Sequence, residues 1–155
     1  MGDKCKCPSP FGGLKCETDL CSGTNCGING NCYYGNCLCS PGYEGPQCEN
    51  LVTEKFVGTF TAHTSCPNSG NNYSTTISAH SSPSSKEIRI DPILGFSLFG
   101  NVNGRTIVVG SQEVSGTNYS GRGSITENGK KIDLTITIDP YGATPPYDCQ
   151  FTFTR

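Results

Sequence analysis

Residues 37–49 read CLCSPGYEGPQCE, and this stretch decides how the first part of the chain folds. Cys37 and Cys39 are one residue apart, and Pro41, Gly42, Tyr43 and Gly45 follow before Cys48. Gly42 and Gly45 permit positive φ, so a short chain can double back between its cysteines. The same pattern stands upstream as CKCPSPFGGLKCE, residues 5–17. Cys5, Cys7 and Cys16 match Cys37, Cys39 and Cys48, Phe11 matches Tyr43, and Gly13 matches Gly45, all at an offset of 32 residues. An internal repeat of this kind marks one structural unit used twice.

Nine of the 11 cysteines lie in residues 1–48, and only Cys66 and Cys149 follow. The cysteine-rich third has few aliphatic residues. A segment so short cannot bury enough apolar surface to offset chain entropy and needs cross-links. Cysteine at this density reads as a disulfide framework, which persists only in oxidising compartments. A zinc site would call for CxxC or CxxH pairs. Here the close pairs are spaced by one residue, and both histidines, His63 and His80, lie outside the cluster. No metal and no cofactor is expected.

Cys21, Cys26, Cys32, Cys37, Cys39 and Cys48 form a six-cysteine set whose arithmetic alone leaves many connectivities open. With Pro41-Gly42-Tyr43-x-Gly45 before its last member, the set resembles an EGF-like module. The resemblance implies the pairs Cys21–Cys32, Cys26–Cys37 and Cys39–Cys48. By analogy Cys7 pairs with Cys16 in the first copy. That copy has only three of the six cysteines, so Cys5 is left free or available for an intermolecular bond. The expected organisation is a partial EGF-like half-module over 1–16, an EGF-like module over 17–50 and a β-domain over 51–155. Calcium-binding EGF-like modules carry acidic or amide groups just before the first cysteine. Glu17 and Asp19 stand there, but Leu20 holds the position next to Cys21, and the Cys32–Cys37 loop is too short for the rest of the signature. Calcium wants six to eight oxygens. Glu17 and Asp19 are therefore weak calcium candidates, with a solvated acidic pair as the favoured account.

After Asn50 the chain changes character. Residues 51–55 read as a linker. Alternating apolar and polar runs then follow, without a helical period. The expected strands cover 56–62, 73–80, 86–90, 96–102, 105–109, 119–125, 130–138 and 147–154. Asn103-Gly104 and Asn128-Gly129 are strong hairpin signals. About eight strands on short loops predict an all-β antiparallel meander barrel, with a β-sandwich as the alternative. In a closed even-stranded meander the first and last strands are antiparallel neighbours. Cys66, just past the first strand, then faces Cys149, early in the last, and a Cys66–Cys149 bridge is expected. Inward Phe and Ile side chains are expected to fill the barrel.

This second part also resembles the lipocalin-like β-domain of bacterial surface lipoproteins, which often follows an EGF-like module. The matching residues are Lys55-Phe56-Val57-Gly58-Thr59-Phe60-Thr61 and Asp148-Cys149-Gln150-Phe151-Thr152-Phe153. The resemblance spans residues 54–155. Lipocalins proper carry Gly-x-Trp in the first strand; here the third position is Phe60, and the chain has no Trp.

Net charge is −2 with 15% charged residues, which excludes the basic patch of a nucleic-acid binder. No apolar run reaches transmembrane length. Disulfides demand export, so Met1 and Gly2 are read as standing in place of a removed leader, and a lipid anchor upstream of Asp3 is compatible with this. Catalytic residues are not expected: His63 and His80 are separate, and no GxSxG elbow occurs. Asn72 and Asn118 are glycosylation acceptors if the source is eukaryotic, and Gly121-Arg122-Gly123 reads as a flexible strand segment. The expected function is a non-enzymatic extracellular or cell-surface protein that binds or adheres to an unknown protein or glycan, with the EGF-like part as spacer. The alternative is a small-molecule carrier built on the barrel.

Overall fold

The computed structural model describes residues 6–67, 72–80, 86–141 and 145–155. No helix occurs among them. The chain divides into two compact units, Met1–Leu51 and Val52–Arg155.

The first unit contains three two-stranded sheets. Strands β1 (Phe11–Gly12) and β2 (Thr18–Asp19) pair as Phe11↔Asp19 and Gly12↔Thr18. Strands β5 (Tyr43–Glu44) and β6 (Asn50–Leu51) pair as Tyr43↔Leu51 and Glu44↔Asn50, each residue 32 positions later. The sequence repeat is therefore a repeat of conformation. Gly13 and Gly45 take φ of 91° and 99°, and Cys16 and Cys48 take 58° and 57°. Even the turn caps recur: Lys15 N–H donates to Glu17 Oε2 at 2.7 Å, and Gln47 N–H to Glu49 Oε2 at 2.8 Å. Between the two copies lies the hairpin β3 (Gly30–Tyr33) and β4 (Asn36–Cys39). Tyr34 and Gly35 turn it with φ of 47° and 80°, the mirror-image geometry that suits the twist of a two-residue hairpin.

The second unit is a closed barrel of eight antiparallel strands. They are β7 (Gly58–Thr64), β8 (Tyr73–Ala79), β9 (Glu87–Ile93), β10 (Phe96–Asn103), β11 (Thr106–Val114), β12 (Thr117–Ile125), β13 (Lys131–Pro140) and β14 (Tyr147–Thr154). Closure comes from β14 on β7, with Phe151↔Thr64 through Thr154↔Thr61. The fold is a barrel and not a sandwich. Alternation does the sorting: on β13, Ile132, Leu134, Ile136 and Ile138 point inward and are buried, while Lys131 and Asp133 face out. Phe60, Phe151 and Phe153 join them from the strands that close the barrel. Eight strands enclose a space just wide enough for side chains to fill. Each of these large residues contributes on the order of 1.5–3 kcal/mol by leaving water.

Gly121 and Gly123 occupy inward positions on β12, opposite Ile136 and Leu134. A Cβ at either would run into the carbonyl oxygen of Thr135 or Asp133. The two glycines thus let β12 close tightly on β13, so Gly121-Arg122-Gly123 is part of an ordered strand.

Most expected strand boundaries shift by one to three residues, as where β9 runs on to Ile93, and three differences change the reading. Residues 51–55 are not a bare linker: Leu51 belongs to β6, and Val52, Thr53 and Phe56 are buried. The turn carrying Phe56 is closed by Phe56 N–H to Thr53 O at 2.9 Å, and the first barrel strand begins at Gly58. The strand expected to stop at Val109 continues to Val114. A register shift between Val109 and Gln112 breaks its alternation, which hid the continuation and the Ser115-Gly116 hairpin turn.

Candidate binding surface

Five disulfides hold the described residues. They are Cys7–Cys16, Cys21–Cys32, Cys26–Cys37, Cys39–Cys48 and Cys66–Cys149, with Cα–Cα distances of 5.3, 5.9, 5.3, 5.2 and 4.9 Å. Cys5 lies outside the described residues. Three of these bridges, Cys21–Cys32, Cys26–Cys37 and Cys39–Cys48, staple the central module. One face of the β3–β4 hairpin turns Cys32, Cys37 and Cys39 toward the bridges, and the other turns Asn31, Tyr33, Asn36 and Leu38 to solvent. Tyr33 is 49% exposed and Leu38 58%. The first copy of the repeat leans on the module through Tyr34, whose hydroxyl donates to Cys7 O at 2.6 Å.

The two acidic residues carried as weak calcium candidates have local employment. Glu17 accepts from Lys15 N–H, the role Glu49 plays in the second copy. Asp19 Oδ1 accepts from Cys21 N–H at 2.9 Å. Such side-chain-to-backbone bonds stabilise tight turns. Among the described residues no cluster of three or more acidic, His or Cys side chains has metal-binding proximity.

In the barrel, His63 and His80 both stand on the outer wall. His63 Nδ1 lies 3.0 Å from Asn72 Oδ1, and His80 Nε2 lies 3.8 Å from Glu87 Oε2. Asn72 is exposed, while Asn118 is half-buried with its Oδ1 accepting from Ser111 Oγ at 2.7 Å. The inward positions are occupied by buried side chains. At one end Tyr73, Leu94, Phe96 and Tyr119 pack on the core, and the Phe96 and Tyr119 rings lie 4.7 Å apart. Burial raises the Tyr73 phenol above its ordinary pKa; the Leu94 backbone acts in the opposite sense, without meeting hydrogen-bond geometry, so the buried oxygen has no partner among the described residues.

The opposite end is closed by a contact that sequence reasoning missed. Arg155 donates from Nε to Gly129 O at 2.8 Å, from Nη1 to Val57 O at 2.7 Å and from Nη2 to Lys55 O at 3.0 Å. Its guanidinium carbon sits 4.8 Å from the centre of the Phe60 ring. A planar five-donor group can serve several carbonyls at once and still face an aromatic ring. Arg155 ties the Phe56 turn, the β12–β13 turn and the last strand together. A lone Arg next to the last strand carries no local signal of this.

Clefts appear on the outside of the barrel. One of about 430 Å³ runs over β11–β13 between Val108, Arg122, Thr135 and Thr137. Another, of about 360 Å³, lies over the β10–β11 seam and is lined by His80, Glu87, Phe99, Asn101, Ser111 and Gln112. The seam has an unusual fastening. Backbone pairing between β10 and β11 covers only Asn101↔Val108 to Asn103↔Thr106. Beyond it Gln112 takes over: its Oε1 accepts from Phe99 N–H at 3.0 Å, and its Nε2 donates to the carbonyls of Phe99 and Gly110. A side-chain amide has the same donor and acceptor pair as a peptide group, so it can stand in for a missing strand partner.

A stretch of 50 residues is 44% identical to Protein glp-1 of Caenorhabditis elegans, covering 28% of this chain and 4% of that protein. The chain thus spans a small fraction of the relative it matches. No protein-family model matches the chain, and no solved structure does. The EGF-like similarity and the disulfide set point to an extracellular binding module, at the cell surface or beyond it.

Proposed function

We propose that this chain is a non-enzymatic extracellular or cell-surface binding protein. In it the EGF-like unit acts as a disulfide-stapled spacer or contact surface, and the barrel presents its outer wall to a protein or glycan partner. The observation that carries this is the division of labour in the wall itself: the inward side chains are buried, while the clefts lie outside. The same filling removes the motive for a carrier that holds a small molecule inside the barrel. A lipocalin-like kinship of the second unit is part of this reading and is supported by its closed eight-stranded meander, with Phe60 standing where lipocalins proper carry Trp. Attachment to the surface by a lipid upstream of Asp3 fits this proposal. The non-enzymatic assignment is supported by the local roles of His63, His80, Glu17 and Asp19.

The test is to screen the oxidised, folded chain against arrays of extracellular proteins and of glycans. Saturable binding to a member of either array is the expected result. Folded chain that binds nothing on either would sink the proposal.

A further inference from the structure

Phe99 breaks the pattern of the barrel. The outward positions of the described barrel strands are otherwise mostly Ser, Thr, Asx, Gln or charged residues, such as Thr135, Thr137, Asp148 and Thr152, with Val108 an aliphatic exception. On β10 the outward set is Ser97, Phe99, Asn101 and Asn103, and Phe99, half-buried, is the one Phe or Tyr at an outward position among the described residues of the barrel strands. An apolar ring on a solvated face opposes the binary pattern that specifies the fold, and such violations concentrate where a protein does its work. The position is also specially held. Beside the bulge in β11 the Phe99 backbone has no partner on that strand, and Gln112 is committed to both its N–H and its C=O. Bulges re-aim side chains and gather beside functional sites. The ring is braced by His80, whose centroid lies 4.6 Å from it at a tilt of 53°.

The surroundings narrow the ligand. The groove lining gathers no cluster of like charges: Glu87 is its single carboxylate, 3.8 Å from the His80 ring nitrogen, and the nearby Arg89 on β9 is bound to Asp91 at 2.9 Å. That argues against an ionic ligand. A single ring without an apolar stripe is too little for a lipid tail. Gln112 already holds the Phe99 N–H and C=O and the Gly110 C=O, so an added β-strand finds these groups taken. What remains is one aromatic face rimmed by an exposed amide, Asn101, and a hydroxyl, Ser111. These suit a neutral sugar, which has an apolar ring face and a girdle of hydroxyls. The groove volume of about 360 Å³ is on the scale of small-ligand sites.

We infer that the groove at Phe99, Asn101, Ser111 and His80 is a subsite for a neutral oligosaccharide. This rests on the proposed binding function and names the partner class and its place on the barrel. The test titrates the full oxidised chain with cellohexaose, chitohexaose and mannohexaose, following amide shifts by NMR and affinity by calorimetry. At least one sugar is expected to shift the amides of Phe99, Asn101 and Ser111. Phe99→Ala is expected to weaken it about tenfold, as loss of one ring contact predicts. Asn101→Ala, at an exposed position, weakens it without touching the core, and Phe99→Tyr retains it. Shifts clustered elsewhere, or full affinity in both Phe99→Ala and Asn101→Ala, would overturn the assignment. A chain that ignores all three sugars yet binds an extracellular protein overturns the sugar subsite and leaves the proposed function standing. A chain that binds neither overturns both.

Discussion

The two units solve the problem of holding a chain together in opposite ways. Among the described residues of Met1–Leu51 the buried hydrophobic side chains are Cys26 and Cys48, both half-cystines. Four bridges with sequence separations of 9 to 11 hold short strands that have almost no core beneath them. In Val52–Arg155 a continuous cluster of Ile, Leu, Val and Phe fills a closed barrel, and one bridge, Cys66–Cys149, spans 83 residues. The lesson is that an oxidising compartment is a structural requirement for the first unit and an addition for the second. In the first, cross-links act chiefly by restricting the unfolded chain; in the second, stability comes from apolar surface leaving water.

Reduction should separate the two units most widely. Each short bridge is worth about 2–4 kcal/mol, and the four together exceed what so small a core supplies. Dithiothreitol is expected to abolish hydrogen-exchange protection of the β3–β4 amides while the β12–β13 amides remain slow. Protected β3–β4 amides in the reduced chain would break the comparison. The converse substitution is Phe153→Ala, expected to lower barrel stability by about 3–5 kcal/mol through lost burial and a residual cavity. Denaturant melting followed by barrel aromatic signals would show it, and exchange in the EGF-like unit should not change. Equal losses in both units would mean that they fold as one.

Arg155→Ala sharpens the picture of the barrel's own end. Three carbonyls lose a charged donor and Phe60 loses its cation, so a loss of about 1–3 kcal/mol is expected. Arg155→Lys should recover only part of it, since an ammonium lacks the planar fork. Full recovery would show that charge alone matters there. The smallest effect belongs to Asp133. The Lys131 ammonium, 2.9 Å away, and the Thr152 hydroxyl, at 3.0 Å, hold its carboxyl below the ordinary 3.8. A depressed carboxylate stabilises the fold above the unfolded pKa, and this contribution disappears as pH falls through the lower folded value. Asp133→Asn should therefore cost less than about 1 kcal/mol at neutral pH, because the pair is half exposed, and progressively less as pH falls through the lowered folded pKa. A cost that persists in acid would point to the hydrogen bond from Thr152 and away from charge.

Much of this was legible in the residue order. Cysteine spacing carried the repeat, and the repeat is visible in the folded chain down to Glu17 and Glu49. Alternation along β13 marked Ile132 to Ile138 as one buried face. Both signals are local: a bridge over 9 to 11 residues and a period of two are written in neighbouring positions. The continuation of β11 was hidden because the bulge at Gly110-Ser111 destroys the period that reveals a strand. The Phe56 turn was hidden because its burial depends on the barrel closing around it.

Sequence alone therefore determined the oxidising compartment, the division into a cross-linked part and a β-part, and the inward face of the long strands. Only the tertiary structure decided that Arg155 lies over Phe60, that Gln112 replaces a strand partner for Phe99, and that an aromatic ring stands in a groove on the outer wall. The physical reason is common to all three. Each contact joins groups whose meeting depends on closure, twist and bulge summed around eight strands, and no single segment of the chain contains that sum.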